Sequence, residues 1–147
     1  MWKTPETRGG NQMREMTINA TVENIPAVTA FVDENLESLG CPLKAQMQID
    51  IAIDELFGNI ANYAYRPGVG PATVRVEVED EPLAVIITFI DHGKPFDPLG
   101  VSDPDTTLSA EDRAIGGLGV FLVKKTMDEL TYEYKDGKNI LRIKKHI

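Results

Sequence analysis

From Ile49 to Ala64 the apolar residues Ile49, Ile53, Leu56, Ile60 and Ala64 recur at spacings of three and four, which predicts a helix from about Pro42 to Ala64 carrying them as one stripe. A stripe of that length has to be buried against a second layer, because a lone amphipathic helix is marginal in water. On the adjacent face stand Glu55, Asn59 and Asn62. Glu55 and Asn59 fall one turn apart, so a carboxylate and a carboxamide point the same way.

The second layer is legible in the rest of the chain. Val74, Val76 and Val78 alternate as a half-buried strand, Asp80-Glu-Pro82 turns the chain, and Leu83 to Ile90 is its longest apolar stretch, interrupted only by Thr88. Leu130 to Tyr134 and Ile140 to Ile143 form a second hairpin about Asp136-Gly137. Met16, Ile18 and Ala20 alternate as a short first strand. Asn24 with Pro26 resembles a helix start, Val28, Phe31, Val32, Leu36 and Leu39 make its stripe, and Gly40 with Pro42 ends it. Leu118 to Met127 supplies a third helix. Antiparallel strands with three helical segments on one side predict an α+β fold, a two-layer sandwich of a mixed, mostly antiparallel sheet with helices on one face. Residues 16–147 make a single domain behind a flexible tail, residues 1–15, in which Met13 is a second candidate start. Residues 94–114 are polar, weakly periodic and long for a connection, and read as a lid.

Composition excludes several functions. A net charge of −8 argues against direct nucleic-acid binding, which requires clustered Lys and Arg; Lys144 and Lys145 read as a solvated tail. The single cysteine, Cys41, cannot close an intrachain disulfide, so the compartment is most simply the reducing cytosol, and no catalytic role falls to it. No apolar run approaches the ~20 residues that span a bilayer, and the N-terminus lacks the apolar core of a signal peptide.

Two further motifs turn the Glu55–Asn59 face into a candidate site. Asp91-His-Gly93 follows the apolar strand, and Gly116-Gly-Leu-Gly119 opens the last helix, in the order that a magnesium–ATP site would use them. Neither the P-loop pattern nor the Rossmann glycine fingerprint is present, which removes the two commoner nucleotide folds. Glu55-Leu-Phe-Gly-Asn59, Asp91-His-Gly93 with Pro95-Phe96-Asp97-Pro98, and Gly116-Gly-Leu-Gly119 together resemble the helix, adenine and phosphate motifs of the GHKL (Bergerat-fold) ATP-binding superfamily. Within it the chain is most similar to the stand-alone anti-sigma-factor serine/threonine kinases, from Met16 to the C-terminus.

The resemblance implies a role for each motif. Mg²⁺ prefers oxygen ligands and keeps several waters, so the Asn59 carboxamide oxygen and phosphate oxygens suit it. Glu55 is implied as the general base. Asp91 can accept the exocyclic amino hydrogen of adenine, and Gly93 lets the chain pass close to the base. Gly117 and Gly119 offer backbone N–H groups to phosphate at a helix N-terminus, with Gly116 and Leu118 in the same motif. Arg113 resembles a lid arginine that touches the terminal phosphate, although it stands farther ahead of the glycines than the family pattern has it. Gly58 departs from the small hydroxyl residue found in relatives; a helical glycine costs ~1 kcal/mol relative to alanine, which close helix packing or close approach to the nucleotide would offset.

The implied function is a cytoplasmic regulatory kinase. It would transfer the ATP γ-phosphoryl group to a small anti-anti-sigma (STAS-type) protein and bind a sigma factor in an alternative complex. The leading alternative is an ATP-dependent module that sequesters a partner without phosphotransfer. A detached histidine-kinase catalytic domain is the third reading, and His92 and His146 are poorly placed for phosphoacceptor work. Exposed apolar residues on the first helix would be a reason to expect a homodimer.

Overall fold

The computed structural model describes residues 6–8, 11–100 and 117–147. Strands β1 (Glu6–Arg8) and β2 (Asn11–Asn19) lead into helices α1 (Ile25–Ser38) and α2 (Leu43–Asn59), the second continued by a π-helical turn, Ile60–Ala64. Strands β3 (Pro71–Glu79) and β4 (Ala84–Asp91), helix α3 (Gly117–Thr126) and strands β5 (Glu129–Lys135) and β6 (Lys138–His146) complete the order. The sheet runs β1-β2-β3-β4-β6-β5. Three helices cover one face, and the core lies between them and the inward rows of β3, β4 and β6.

Local chemistry explains the elements. Pro26 sits in the first turn of α1, where its missing N–H costs nothing, while Asn24 donates its side-chain amide to the Asn19 carbonyl at 2.8 Å instead of capping the helix. Gly40 ends α1 at φ +69°, and the Cys41 N–H returns to the Leu36 carbonyl at 3.1 Å. The α2 stripe is buried throughout: Ile49, Ile53, Leu56, Ile60 and Ala64 all lie in the core. Strand β4 pairs on both edges and packs its inner face under the helices, and its outward Thr88 is covered as well, which is why its sequence is nearly continuous in apolar residues. Asp136 and Gly137 both take positive φ, as a tight hairpin turn with the strands' own twist requires.

The structure differs from the sequence expectations at several points. The expected mixed sheet is antiparallel in every described pairing. Strand β2 reaches back to Asn11, so part of the expected tail belongs to the sheet; Glu15 stands opposite Arg75 and accepts its Nε–H at 3.1 Å. Arg14, on the inward side of that strand, occupies a position where an apolar residue would have revealed the alternation. Lys144 and Lys145 are not a solvated tail. Lys144 lies between Glu79 (3.1 Å) and Glu129 (3.2 Å), and Lys145 donates to the Thr126 carbonyl at 2.7 Å. The apolar residues of α1 face the core, whereas Leu43, Met47 and Ile51 form an exposed line on α2, so the reason for expecting a homodimer moves to a different helix. A Cβ on Gly58 would meet only Ile25 Cδ1 at 4.0 Å, so packing does not require glycine there. Among the described residues no helix is long and apolar enough to cross a membrane.

Where α1 packs on α2, the Asp33 and Asp50 carboxyl groups come together, the Oδ1 of each shielded from water and without a hydrogen-bond partner, an arrangement in which one shared proton would replace two like charges. Burial, then the Asp33 hydrogen bond and the Asp33 charge, push Asp50 up to about 7 from 3.8. Burial and the same two aspartates also raise the nearby Cys41 thiol, which leaves it a poor nucleophile. Because the folded value of Asp50 lies above the unfolded one, its contribution to stability is complete below about pH 3.8 and is lost as pH rises through about 7. Asp50→Asn keeps a hydrogen-bond donor for Asp33 and carries no charge. Its Tm is expected to exceed wild type at pH 8 and to match it near pH 4, measured by thermal melts across that range; parallel pH profiles would disprove the shared proton.

Candidate nucleotide site

The C-terminal half of α2, its π-helical turn, the end of β4 and the β5–β6 hairpin enclose an open, largely apolar cavity. Leu56, Ile60, Tyr63, Phe96 and Leu141 make its apolar walls, and Asn59, Asp91 and Asn139 are among its polar groups. Phe96 walls the pocket at a tilt to Tyr63, their ring centroids 6.4 Å apart. Asp91 ends β4 with 3% of its surface exposed. Its Oδ1 accepts the Gly93 N–H and the Asn139 side-chain amide, each at 2.9 Å, which leaves Oδ2 as the oxygen able to accept from a ligand.

Asn139 and Tyr132 are site residues that the motifs did not disclose. The Asn139 amide group donates to Asp91 Oδ1 and to the Lys94 carbonyl at 2.8 Å, with the Gly93 carbonyl at 3.4 Å. Its oxygen accepts the Phe96 N–H at 3.1 Å and the Tyr132 hydroxyl at 2.5 Å. The signal that could have found it is the inward row Asn139, Leu141, Ile143, in which a carboxamide takes a core position at a strand end.

The segment after β4 is held to the helix end. Lys94 N–H donates to the Ala64 carbonyl at 2.9 Å, and the Tyr65 hydroxyl accepts the His92 N–H at 2.8 Å while donating to the Pro71 carbonyl at 2.5 Å. A Cβ on Gly93 would run into the Ala64 carbonyl. Glycine here permits a close approach to the helix end.

Glu55 and Asn59 meet the other helix. A Cβ on Gly119 would run into the Glu55 carboxyl, so the first turn of α3 lies directly against that side chain. Glu55 Oε1 is shielded from water and has no hydrogen-bond partner. Burial lifts the Glu55 carboxyl above its usual range, opposed by a hydrogen bond from Asn59 and aided by the charge of Asp54. An ionised carboxylate can only accept, so a hydrogen bond between the two would have Asn59 donating its NH₂ and would leave its carboxamide oxygen for another partner. Gly117 opens α3, whose first N–H groups have no intrahelical partner. The Leu118 backbone lies in the same turn; Arg113, Gly116 and most of the expected lid, residues 101–114, lie outside the described residues. No group of three metal-binding side chains occurs among the described residues, but Mg²⁺ held largely by phosphate and water needs no such group. An orphaned carboxylate oxygen one turn from the Asn59 carboxamide fits that ion and its waters.

Comparison with known proteins is consistent with this geometry. The family model described as a histidine kinase-like ATPase domain matches residues 18–145. The serine/threonine-protein kinase BtrW of Bordetella bronchiseptica is 28% identical over 103 residues, 70% of this chain and 72% of that protein. The serine-protein kinase RsbW of Bacillus cereus is 25% identical over 134 residues, covering 88% and 82% of the two chains. RsbW of Halalkalibacterium halodurans is 29% identical over 129 residues, covering 84% and 76%.

Proposed function

The chain belongs to the histidine kinase-like ATPase family, and from that premise we propose that it is an ATP- and Mg²⁺-dependent protein serine/threonine kinase of the cytoplasm. It transfers the γ-phosphoryl group to a serine or threonine of a small STAS-type anti-anti-sigma protein and binds a sigma factor in an alternative complex. The observation that carries the reading is the half-buried Glu55, whose Oε1 is shielded from water without a partner beside Asn59 and against the first turn of α3. Relatives named serine-protein kinases support the reaction class.

The residues divide the work. Asp91 Oδ2 accepts the exocyclic amine of adenine, while Tyr63 and Phe96 wall the base. The carboxamide oxygen of Asn59 would hold Mg²⁺, which neutralises charge on the β- and γ-phosphates when bound. Backbone N–H groups of Gly117, Leu118 and Gly119 would donate to phosphate oxygens at the helix N-terminus, and the family resemblance assigns Gly116 and Arg113 to the same phosphates. Glu55 takes the proton of the attacking hydroxyl as its oxygen bonds to the γ-phosphorus and the bond to the β–γ bridging oxygen breaks, releasing ADP.

The test mixes the purified protein with ATP labelled at the γ-phosphorus and the STAS-type proteins of its own genome. Label on a serine or threonine of one of them is the expected result. Saturable ATP binding with no transfer to any would favour the sequestering module and overturn the kinase.

A further inference from the structure

We propose that Asn139 is a positioning residue for base recognition: it locks the Asp91 carboxylate so that Oδ2 faces the exocyclic amine, and ties the Phe96 wall to the same group. The inference rests on the adenine role proposed for Asp91. Asn139 stands opposite Asp91 in the β4–β6 register, 5% exposed, on the same inward row. Its amide has two N–H donors and two acceptor directions, and all four are used: Asp91 Oδ1 and the Lys94 carbonyl receive, and the Phe96 N–H and Tyr132 hydroxyl give. Turning the amide over would set its oxygen against the Asp91 carboxylate and its NH₂ against the Phe96 N–H, so the neighbours permit one orientation.

That orientation has a consequence for selectivity. With Gly93 N–H and Asn139 both on Oδ1, the carboxylate cannot spin, and its second oxygen is presented before any base arrives. Without Asn139 the carboxylate keeps only the Gly93 bond, and Phe96 loses the hydrogen bond that fixes its backbone. Recognition of the amine should suffer more than binding of the rest of the nucleotide.

Calorimetry with ATP and with purine riboside triphosphate, which carries hydrogen in place of the amine, separates the two. Wild type is expected to prefer ATP by about tenfold or more, the worth of one hydrogen bond to a charged group. Asn139→Ala, and Asn139→Asp, which keeps the shape but sets a second carboxyl against Asp91, are expected to shrink the preference to within about threefold. A merely structural role would weaken both nucleotides alike and leave the ratio intact, overturning the proposal. If wild type itself shows no preference, the Asp91 assignment fails; if wild type prefers ATP and both variants keep that preference, the Asn139 inference fails alone. Variants that no longer melt cooperatively would also overturn it, making Asn139 a residue of the fold.

Discussion

Replacing Glu55 with glutamine is expected to reduce phosphotransfer by about 10²-fold or more while leaving ATP affinity nearly unchanged. A base acts only as the hydroxyl gives up its proton, so its loss falls on the transition state and not on the bound nucleotide. Glutamine keeps the shape that packs against Gly119, so a steric account of any loss is excluded. Asn59→Ala should differ, because a metal ligand also holds the ground state: magnesium-dependent ATP binding weakens along with transfer. The pH profile adds a second check. Burial raises the Glu55 carboxyl, and a base works ionised, so wild-type transfer should climb with pH through a value above the ordinary carboxylate range. That limb disappears in Glu55→Gln. Full activity in Glu55→Gln would remove Glu55 from the chemistry.

What could be read from the sequence was whatever depends on near neighbours. The α2 stripe and the Glu55–Asn59 face follow from helical spacing, and the Asp136-Gly137 turn from its two positive-φ positions. Partnerships across the sheet were not legible in this way. Asn139 and Asp91 are 48 residues apart and meet only because β4 pairs with β6. Lys144 looked like a solvated tail because the carboxylates that hold it, Glu79 and Glu129, come from β3 and β5. Helical spacing was also ambiguous about which stripe faces inward. Leu43, Met47 and Ile51 recur every four residues, a spacing the buried set also uses, yet they lie in solvent. The contact of Gly93 with Ala64 was likewise hidden, since nothing local shows that the chain after β4 returns to the helix end.

The two glycines most tightly enclosed at the site should fail in opposite ways. At Gly93 an added methyl meets the Ala64 carbonyl, a backbone group already engaged by Lys94 N–H and unable to move aside. Gly93→Ala is therefore expected to cost about 1–3 kcal/mol of stability, the usual range for overpacking, and to lower Tm. At Gly119 the methyl meets the end of a flexible side chain, the Glu55 carboxyl, which can swing away. The fold should tolerate Gly119→Ala, and alanine in a helix favours stability by about 0.5–1 kcal/mol. The cost appears in catalysis instead. A base displaced by about 1 Å is expected to lose on the order of 10²-fold in transfer rate, with Tm equal to or above wild type. Thermal melts and single-turnover transfer on both variants test the contrast. If Gly119→Ala transfers phosphate at the wild-type rate, Gly119 is only a helix-start glycine and the contact with Glu55 has no part in positioning the base.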